Sequence, residues 1–353
     1  MDLPRKTLRL DAKLPADIAR AAAILREGGI VAFPTETVYG LGANALDPAA
    51  VAKIFEAKQR PSWDPLIVHI ADHEMLAWIA EPGRELPSFA RNQVEDAMAT
   101  HWPGPLTLLL PRAPAISDAV TAGRALVGVR MPAHPVALEL IRLAGVPVAA
   151  PSANLFGHTS PTSAQHVLDD LDGRIDAVLD GGPCEVGLES TVAEMTTAGF
   201  VIYRPGAIDL DLWGATEVER SPGFSASDAP LESLPSPGLS LRHYAPRARL
   251  VLSNDLTHHR EPLELSLVNL IDEVQTEGSV VGVMLPDHWQ SSSAQFIFPW
   301  GPWGDHETLA RRVFAGLRKL DEQGATVIVC PMPSDHGIGR AVRDRLRRAA
   351  RTV

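Results

Sequence analysis

The chain has 353 residues and a formal net charge of −11, from 43 acidic and 32 basic residues. A hydrophobic fraction of 45% with 21% charged residues is typical of soluble globular proteins, and the length predicts two domains in a cytoplasmic protein. The acidic balance disfavours a broad nucleic-acid surface, and no apolar run approaches the roughly 20 residues of a membrane-spanning helix.

Short apolar runs alternate with amphipathic stretches through the first part of the chain. The predicted strands are 29–34, 66–71, 105–111, 126–132, 146–150, 176–180 and 200–204. The predicted helices include 15–27, 48–58, 135–144 and 163–172. This alternation predicts an α/β domain over residues 1–211, built around a twisted mixed sheet.

The second part of the chain begins with a change in composition. Residues 212–246 are rich in Ser, Pro and Gly without periodicity, which is typical of a linker. Residues 247–353 then predict a small Rossmann-like α/β domain without a GxGxxG motif, so no dinucleotide site is expected there. Its predicted strands are 248–253, 279–285 and 325–330, and its predicted helices are 262–275, 305–322 and 339–351.

Two motifs near the N-terminus carry the strongest functional signal. The hydroxyl-rich turn Pro34–Gly40 follows a buried strand, and the cationic segment Lys58–Pro61 comes about 20 residues later. A lysine and an arginine two residues apart can hold a polyphosphate as a point charge and a planar fork. A solvated surface pair is the alternative for a Lys/Arg pair that stands alone.

This pair does not stand alone, because polar groups follow several other predicted strands. Ligands of open α/β sheets bind at such strand ends, so the sequence predicts one shared pocket. The segments are Val127–Pro132, Ala149–Asn154, Gly187–Val192 and Tyr203–Gly206.

In this order the segments resemble the threonylcarbamoyl-AMP synthases, in the long form with a YrdC-like catalytic domain and a C-terminal extension. The resemblance covers residues 28–208, and Ser236–Pro246 is similar to the segment that joins the family's two domains. The matching motifs are PTETVYGLGA, AKQRP, DPLIVHI, HWPGPLTLLLP, VGVRMPAHP, PVAAPSAN, SPTSAQHV, GLESTV and YRPGAI. The implied fold is a YrdC-like twisted mixed sheet with helices, linked to a small Rossmann-like α/β domain.

The resemblance implies a nucleotidyltransferase that condenses L-threonine, bicarbonate and ATP to threonylcarbamoyl-AMP and pyrophosphate. A separate threonylcarbamoyl transferase then modifies adenosine 37 of certain tRNAs, so direct nucleic-acid binding is not expected. Mg²⁺ is expected to bind mainly through ATP, without protein ligands. The two cysteines, Cys184 and Cys330, lie far apart in sequence and support neither a disulfide framework nor a zinc site.

The family's roles transfer to matching positions of this sequence. Lys58 and Arg60 are the expected catalytic groups, which neutralise phosphate charge. The positions that resemble L-threonine contacts are Thr37, His69, Arg130, Ala150 and Ser190. The positions that resemble ATP contacts are Lys58, Arg60, Asp64, Leu126, Ser152, Asn154, Ser160, Arg204 and Tyr244.

The residues themselves leave alternatives open. From sequence alone, His69 within an apolar run is more often a satisfied core histidine than a ligand, and Ser152 and Asn154 can simply cap a turn. Asp64 stands where the family usually has asparagine, and Leu126 replaces a common threonine, so only its backbone is carried over. The alternative functions are a carbamoyltransferase acting on another acceptor and an RNA-binding module.

Overall fold

A computed structural model describes residues 6–82, 86–210, 213–217, 244–253, 263–275, 278–290 and 293–350. These residues divide into two compact units. Unit 1 contains the described parts of Met1–Phe156, Ser160–Glu185 and Glu189–Ser240. Unit 2 contains those of Gly157–Thr159, Val186–Leu188 and Leu241–Val353.

Unit 1 contains eleven strands in one mixed sheet and seven helices among its described residues. The strands are β1 (Leu8–Asp11), β2 (Val31–Phe33), β3 (Gly40–Asn44), β4 (Ile67–His69), β5 (Leu106–Pro111), β6 (Leu126–Arg130), β7 (Val148–Ala149), β8 (Ala177–Asp180), β9 (Thr191–Thr196), β10 (Gly199–Arg204) and β11 (Thr216–Glu217). The helices are α1 (Pro15–Arg26), α2 (Pro48–Lys58), α3 (His73–Ile79), α4 (Ser88–His101), α5 (Asp118–Thr121), α6 (Pro135–Ala144) and α7 (Ala164–Leu171).

The strand order of this sheet is β1-β8-β2-β3-β7-β4-β6-β5-β9-β10-β11. Strand β4 lies between β6, to which it is parallel, and β7, to which it is antiparallel. Strand β5 is antiparallel to β6 and parallel to β9, and β10 is antiparallel to β9. The C-terminal ends of β4, β6 and β10 therefore lie at the same sheet edge as the N-terminal ends of β5 and β9.

Helix α2 shows how local sequence positions Lys58, a predicted site residue. The Asp47 side chain accepts from the backbone N–H of Ala49, and Pro48 occupies the first turn, where its missing N–H costs nothing. The helix ends where Gln59 adopts a left-handed conformation with φ of 52°. Lys58 is thus the last helical residue, and Arg60 is the first residue beyond the turn.

Unit 2 is built on a four-stranded parallel sheet in the order β12-β15-β13-β14. Its strands are β12 (Arg249–Ser253), β13 (Val281–Pro286), β14 (Phe296–Gly301) and β15 (Val327–Pro331), and its helices are α8 (Leu263–Gln275), α9 (His306–Glu322) and α10 (Ile338–Ala349). Leu267, Ile271 and Val281 contribute to its buried core. This parallel sheet with helices confirms the predicted α/β class.

Some elements differ from the sequence prediction. The predicted elements did not include strands β1, β3, β9 and β14 or helices α3, α4 and α5, and β11 falls within residues predicted as linker. Residues 212 and 218–243 of that linker lie outside the described residues, as does residue 211. No helix in the described part of the chain combines the length and apolar character needed to cross a membrane.

Candidate active site

The turn after β2 is organised by two buried threonine hydroxyls. Thr35 Oγ1 donates to the carbonyl of Val38 at 2.6 Å and lies 2.8 Å from Thr37 Oγ1. Because the single proton of the Thr35 hydroxyl is used on Val38, Thr37 is the donor between the two threonines. The lone pairs of Thr37 Oγ1 remain to accept from another group.

That group is Arg130, at the end of β6. Its Nη1 donates to Thr37 Oγ1 at 2.8 Å, and its Nε donates to the carbonyl of Gly104 at 3.1 Å. Its Nη2 lies 2.6 Å from Oε1 of Glu36 in an ion pair whose side chains are both buried. Arg130 is therefore oriented by the turn after β2 and by the segment before β5.

His69 lies beside Arg130 in the sheet. At the end of β4 it is in register with Arg130 on one side and Val148 on the other, and its ring meets that of Phe33 edge-on at 6.2 Å. Burial, reinforced by the positive charge of Arg130, lowers the pKa of His69 to about 3. The imidazole is neutral near pH 7 and offers hydrogen bonds rather than charge.

Ser190, just before β9, is held from two sides. Its hydroxyl lies 2.7 Å from Thr107 Oγ1 and accepts from Arg204 Nη2 at 3.0 Å. Nε and Nη2 of Arg204 also donate to the Ser190 carbonyl at 3.2 and 2.9 Å. A Cβ on Gly206 would lie 2.2 Å from the backbone nitrogen of Thr191, so this close approach to the Ser190 segment requires glycine.

The ammonium group of Lys58 is buried and holds a loop. Its Nζ donates to the carbonyl of Ser152 at 2.6 Å and also to the carbonyl of Asn154. Burial, with the neighbouring charge of Arg60, lowers the pKa of Lys58 well below its usual value. The lysine predicted as a phosphate ligand thus also shapes the loop that carries other predicted nucleotide contacts.

Arg60 and Asp64 form a buried ion pair, with Nη2 of Arg60 3.0 Å from Oδ2 of Asp64. The guanidinium also donates to the carbonyls of Asp64 and Pro65, at 3.1 and 2.7 Å. Burial raises the pKa of Asp64, and the charges of Arg60, Lys58 and Arg204 oppose this rise. We call Lys58, Arg60 and Asp64 the charged cluster.

The charged cluster offers one carboxylate oxygen to a metal ion that is bound mainly by another ligand. Within the residues described, no group of three or more His, Cys, Asp or Glu side chains is arranged to hold a metal by itself. Asp64 Oδ1, however, is a buried oxygen without a hydrogen-bond donor. Carboxylate oxygen suits Mg²⁺, which usually completes its shell with phosphates and water.

The loop after β7 is tied down through its backbone. The Ala150 N–H donates to the carbonyl of Ile67 at 2.8 Å, and Ser152 forms an antiparallel bridge with Gly40. The Asn154 side-chain amide donates to the carbonyl of Leu155 at 2.7 Å. The local side-chain bond considered for Asn154 is therefore present, and Ser152 is only partly buried.

Ser160 and Glu189 form another buried contact, in which Ser160 Oγ donates to Oε1 of Glu189. Ser160 was predicted to contact nucleotide. Glu189 is adjacent in sequence to Ser190, so this contact links the loop at Ser160 to the segment held by Arg204. The two segments share one region of unit 1.

Two of the predicted contacts, one for the nucleotide and one for L-threonine, mark opposite ends of strand β6. Leu126 and Arg130 are the first and last residues of β6, about 13 Å apart at strand geometry. They share a sheet face, since even spacing returns a side chain to the same side. Between them lies a small apolar cluster, separate from the main core, formed by Ile67, Leu109 and Val192 with Leu126 and Tyr203 packed against it.

Tyr244 belongs to unit 2, whereas the other predicted site residues belong to unit 1. Its ring is buried, stacks on Phe314 with centroids 5.6 Å apart, and lies 5.2 Å from the guanidinium carbon of Arg345. Its φ of 63° is left-handed, which is uncommon for a non-glycine residue. The nucleotide role assigned to Tyr244 stays a prediction.

Comparison with known proteins identifies the family. A model of Sua5, YciO and YrdC proteins, described as telomere recombination, matches residues 23–206. A second model, the threonylcarbamoyl-AMP synthase C-terminal domain, matches residues 209–351. The threonylcarbamoyl-AMP synthase of Pyrococcus abyssi is 41% identical over 94% of this chain and 93% of its own length. The chain belongs to the threonylcarbamoyl-AMP synthase family.

Further members agree over nearly the whole length. The threonylcarbamoyl-AMP synthase of Bacillus subtilis is 44% identical over 94% of this chain and 92% of its own length. A crystal structure of P. abyssi Sua5 complexed with L-threonine superimposes with a TM-score of 0.86 and 40% identity, covering 98% of this chain and 97% of that one. Family membership makes this protein a transferase and confirms the resemblance seen in the motifs.

Sequence reasoning missed several residues that organise the site. Glu36 pairs with Arg130, and Thr107 contacts Ser190. Glu36 lies inside the turn motif and Thr107 inside HWPGPLTLLLP, so both were within matched segments. Their roles depend on partners at least 83 residues away, which no local pattern reveals.

Proposed function

We propose that this threonylcarbamoyl-AMP synthase family member is a nucleotidyltransferase that condenses L-threonine, bicarbonate and ATP to L-threonylcarbamoyl-adenylate and pyrophosphate. The observation that carries the proposal is the placement of predicted contacts at both ends of β4 and β6, with Arg204 of the nucleotide set bonded to Ser190 of the threonine set. Arg130 and His69 end these strands, whereas Asp64 precedes β4 and Leu126 begins β6. A ligand lying along the strands would meet both groups.

The amino-acid end suits L-threonine. Arg130 can pair with the substrate carboxylate, since its terminal nitrogens each keep one N–H beyond the contacts to Thr37 and Glu36. Neutral His69, Thr37 and Ser190 offer hydrogen-bonding groups for the substrate hydroxyl and carbonyl oxygens. The relative from P. abyssi was crystallised with L-threonine, which supports this substrate.

The nucleotide end suits a triphosphate. The Lys58 ammonium donates two of its three N–H groups to the loop carbonyls and keeps one for a phosphate. The guanidinium of Arg60 is held in place by hydrogen bonds to two backbone carbonyls. The apolar cluster around Leu126 provides a surface against which the flat base can pack. Backbone groups near Leu126, together with Ser152, Asn154, Ser160 and Arg204, complete the proposed ATP contacts within unit 1.

Mg²⁺ is part of the proposal. The ion would be held by phosphate oxygens and water, with the Asp64 carboxylate as the protein oxygen at the charged cluster. When bound, it neutralises charge on the phosphates. The protein's own groups orient the triphosphate and exclude water from it.

The chemistry needs positioning more than a protein nucleophile. The threonine amine and bicarbonate give a carbamate and water, and a carbamate oxygen then attacks the α-phosphorus of ATP. The bond from that phosphorus to the bridging oxygen breaks, and pyrophosphate leaves with the electron pair. Lys58, Arg60 and Arg204 are placed to stabilise the negative charge on the phosphates during this step. A separate transferase would pass the threonylcarbamoyl group to tRNA.

Pyrophosphate release tests the proposal when ATP, L-threonine and bicarbonate are each omitted in turn. Release that requires all three supports it. Release that ignores L-threonine would indicate a carbamoyltransferase for another acceptor. Absence of release together with salt-dependent RNA binding would indicate the binding-module alternative.

A further inference from the structure

Glu36 is a buried carboxylate that uses only one of its two oxygens to contact Arg130. Its residue is 6% exposed, and Oε1 lies 2.6 Å from Nη2 of Arg130. Neither carboxylate oxygen receives a geometrically acceptable hydrogen bond, so Oε2 is buried without a donor. A buried carboxylate oxygen without a donor costs free energy, and such a group calls for an explanation.

The other groups near Glu36 supply a positive charge for an amino-acid ligand but no negative charge. An L-α-amino acid carries a carboxylate and an ammonium, so its site requires a cation and an anion. Arg130 supplies the positive charge, Thr37 is uncharged, and the low pKa of His69 keeps its imidazole neutral. Glu36 is the carboxylate in direct contact with this set.

We infer that Glu36 accepts the α-ammonium group of the amino-acid substrate through its unpaired oxygen while its other oxygen orients Arg130. This role rests on the proposed function and adds to it a residue that recognises the amine. Glu36 and Thr37 are adjacent in sequence, and Arg130 contacts both side chains. The carboxylate of one substrate molecule would therefore bind Arg130, and its ammonium group would bind the neighbouring Glu36.

The alternative is that Glu36 only positions Arg130. The two roles differ in which ligand they affect. An oxygen that binds the ammonium matters for L-threonine but not for (2S,3R)-2,3-dihydroxybutanoate, in which a hydroxyl replaces the amine. A residue that only positions Arg130 affects both ligands equally, because both carry the carboxylate.

The test is calorimetric binding of both ligands to the full chain and to Glu36→Gln. We expect the variant to bind L-threonine roughly tenfold to hundredfold more weakly and to bind dihydroxybutanoate with little change, as for a hydrogen bond to a charged group. An equal loss of affinity for both ligands would overturn the inference. Glu185→Gln, a nearby exposed acid, is the matched control and should bind both ligands like the wild type.

A second variant guards against misfolding of the first. Glu36→Asp keeps the charge but shortens the reach, so the preference for L-threonine over dihydroxybutanoate should fall below that of the wild type. An unchanged preference would contradict the inference. If the wild-type protein binds neither ligand, the proposed function fails instead, which separates the two outcomes.

Discussion

Arg204 holds both the carbonyl and the hydroxyl of Ser190, with Nη2 at 2.9 and 3.0 Å and Nε at 3.2 Å from the carbonyl. Sequence resemblance assigns Arg204 to the nucleotide and Ser190 to L-threonine. The structure therefore joins the two predicted subsites through one guanidinium. A movement of Arg204 toward a phosphate would therefore change its hydrogen bonds to Ser190.

Arg204→Lys should weaken binding of both substrates. A lysine keeps the charge, but its single ammonium cannot reproduce the fork that grips Ser190. We expect L-threonine and ATP each to bind about tenfold more weakly by calorimetry. Arg142→Lys, at an exposed arginine of α6, is the control. Loss of ATP affinity alone would show that the contact to Ser190 does not couple the subsites.

Lys58→Met should abolish most turnover. Methionine has a similar length but cannot donate, so the carbonyls of Ser152 and Asn154 lose their shared tether. We expect pyrophosphate release to fall at least about tenfold. Lys53→Met, on the same helix, removes a bond to the carbonyl of Gly28 and should stay within about twofold. Similar losses in both variants would point to a general effect on α2.

Asp64→Asn tests the charge that distinguishes this chain from the usual family pattern. Asparagine removes a negative charge beside Arg60 while the backbone bonds of Arg60 to Asp64 and Pro65 can persist. We expect metal-free ATP to bind about tenfold more tightly, and Mg²⁺-bound ATP to change less. The assay is nucleotide titration with and without EDTA, with Asp47→Asn as control. Unchanged metal-free binding would place Asp64 away from the phosphates.

His69 should make the fold less stable in acid. Its pKa is about 3 in the folded chain and near 6.5 when unfolded. Between these values the unfolded state binds more protons, so the free energy of unfolding rises with pH and falls as pH drops from about 6.5 toward 3. At pH 5 this amounts to about 2 kcal/mol. His69→Gln should show a correspondingly smaller loss between pH 7 and 5 in urea titrations, and an identical loss would contradict the pKa.

Local sequence signals predicted some elements well and others poorly. Helices α2 and α6 have capping residues and proline in the first turn, and they were predicted with their observed bounds. Strand β3 contains two glycines and no β-branched residue, so only its pairing with β2 and β7 makes it a strand. Strand β14 carries Pro299, which an edge strand tolerates but which argues against a strand in sequence.

The same limit applies to side chains. The motifs predicted which segments carry polar groups, but not that Glu36 pairs with Arg130 or that Arg204 grips Ser190. On helix α10, the sequence did not predict that Arg345 is buried against the ring of Tyr244. These contacts join distant parts of the chain, and a residue's type alone does not specify its distant partner.

The most direct test of the proposed reaction is the mass of the product formed from ATP, L-threonine and ¹³C-labelled bicarbonate. We predict an adenylate that contains threonine and one labelled carbon, released together with pyrophosphate. A product that lacks the label or the threonine, or the formation of ADP and phosphate in place of AMP derivatives and pyrophosphate, would contradict the proposed reaction.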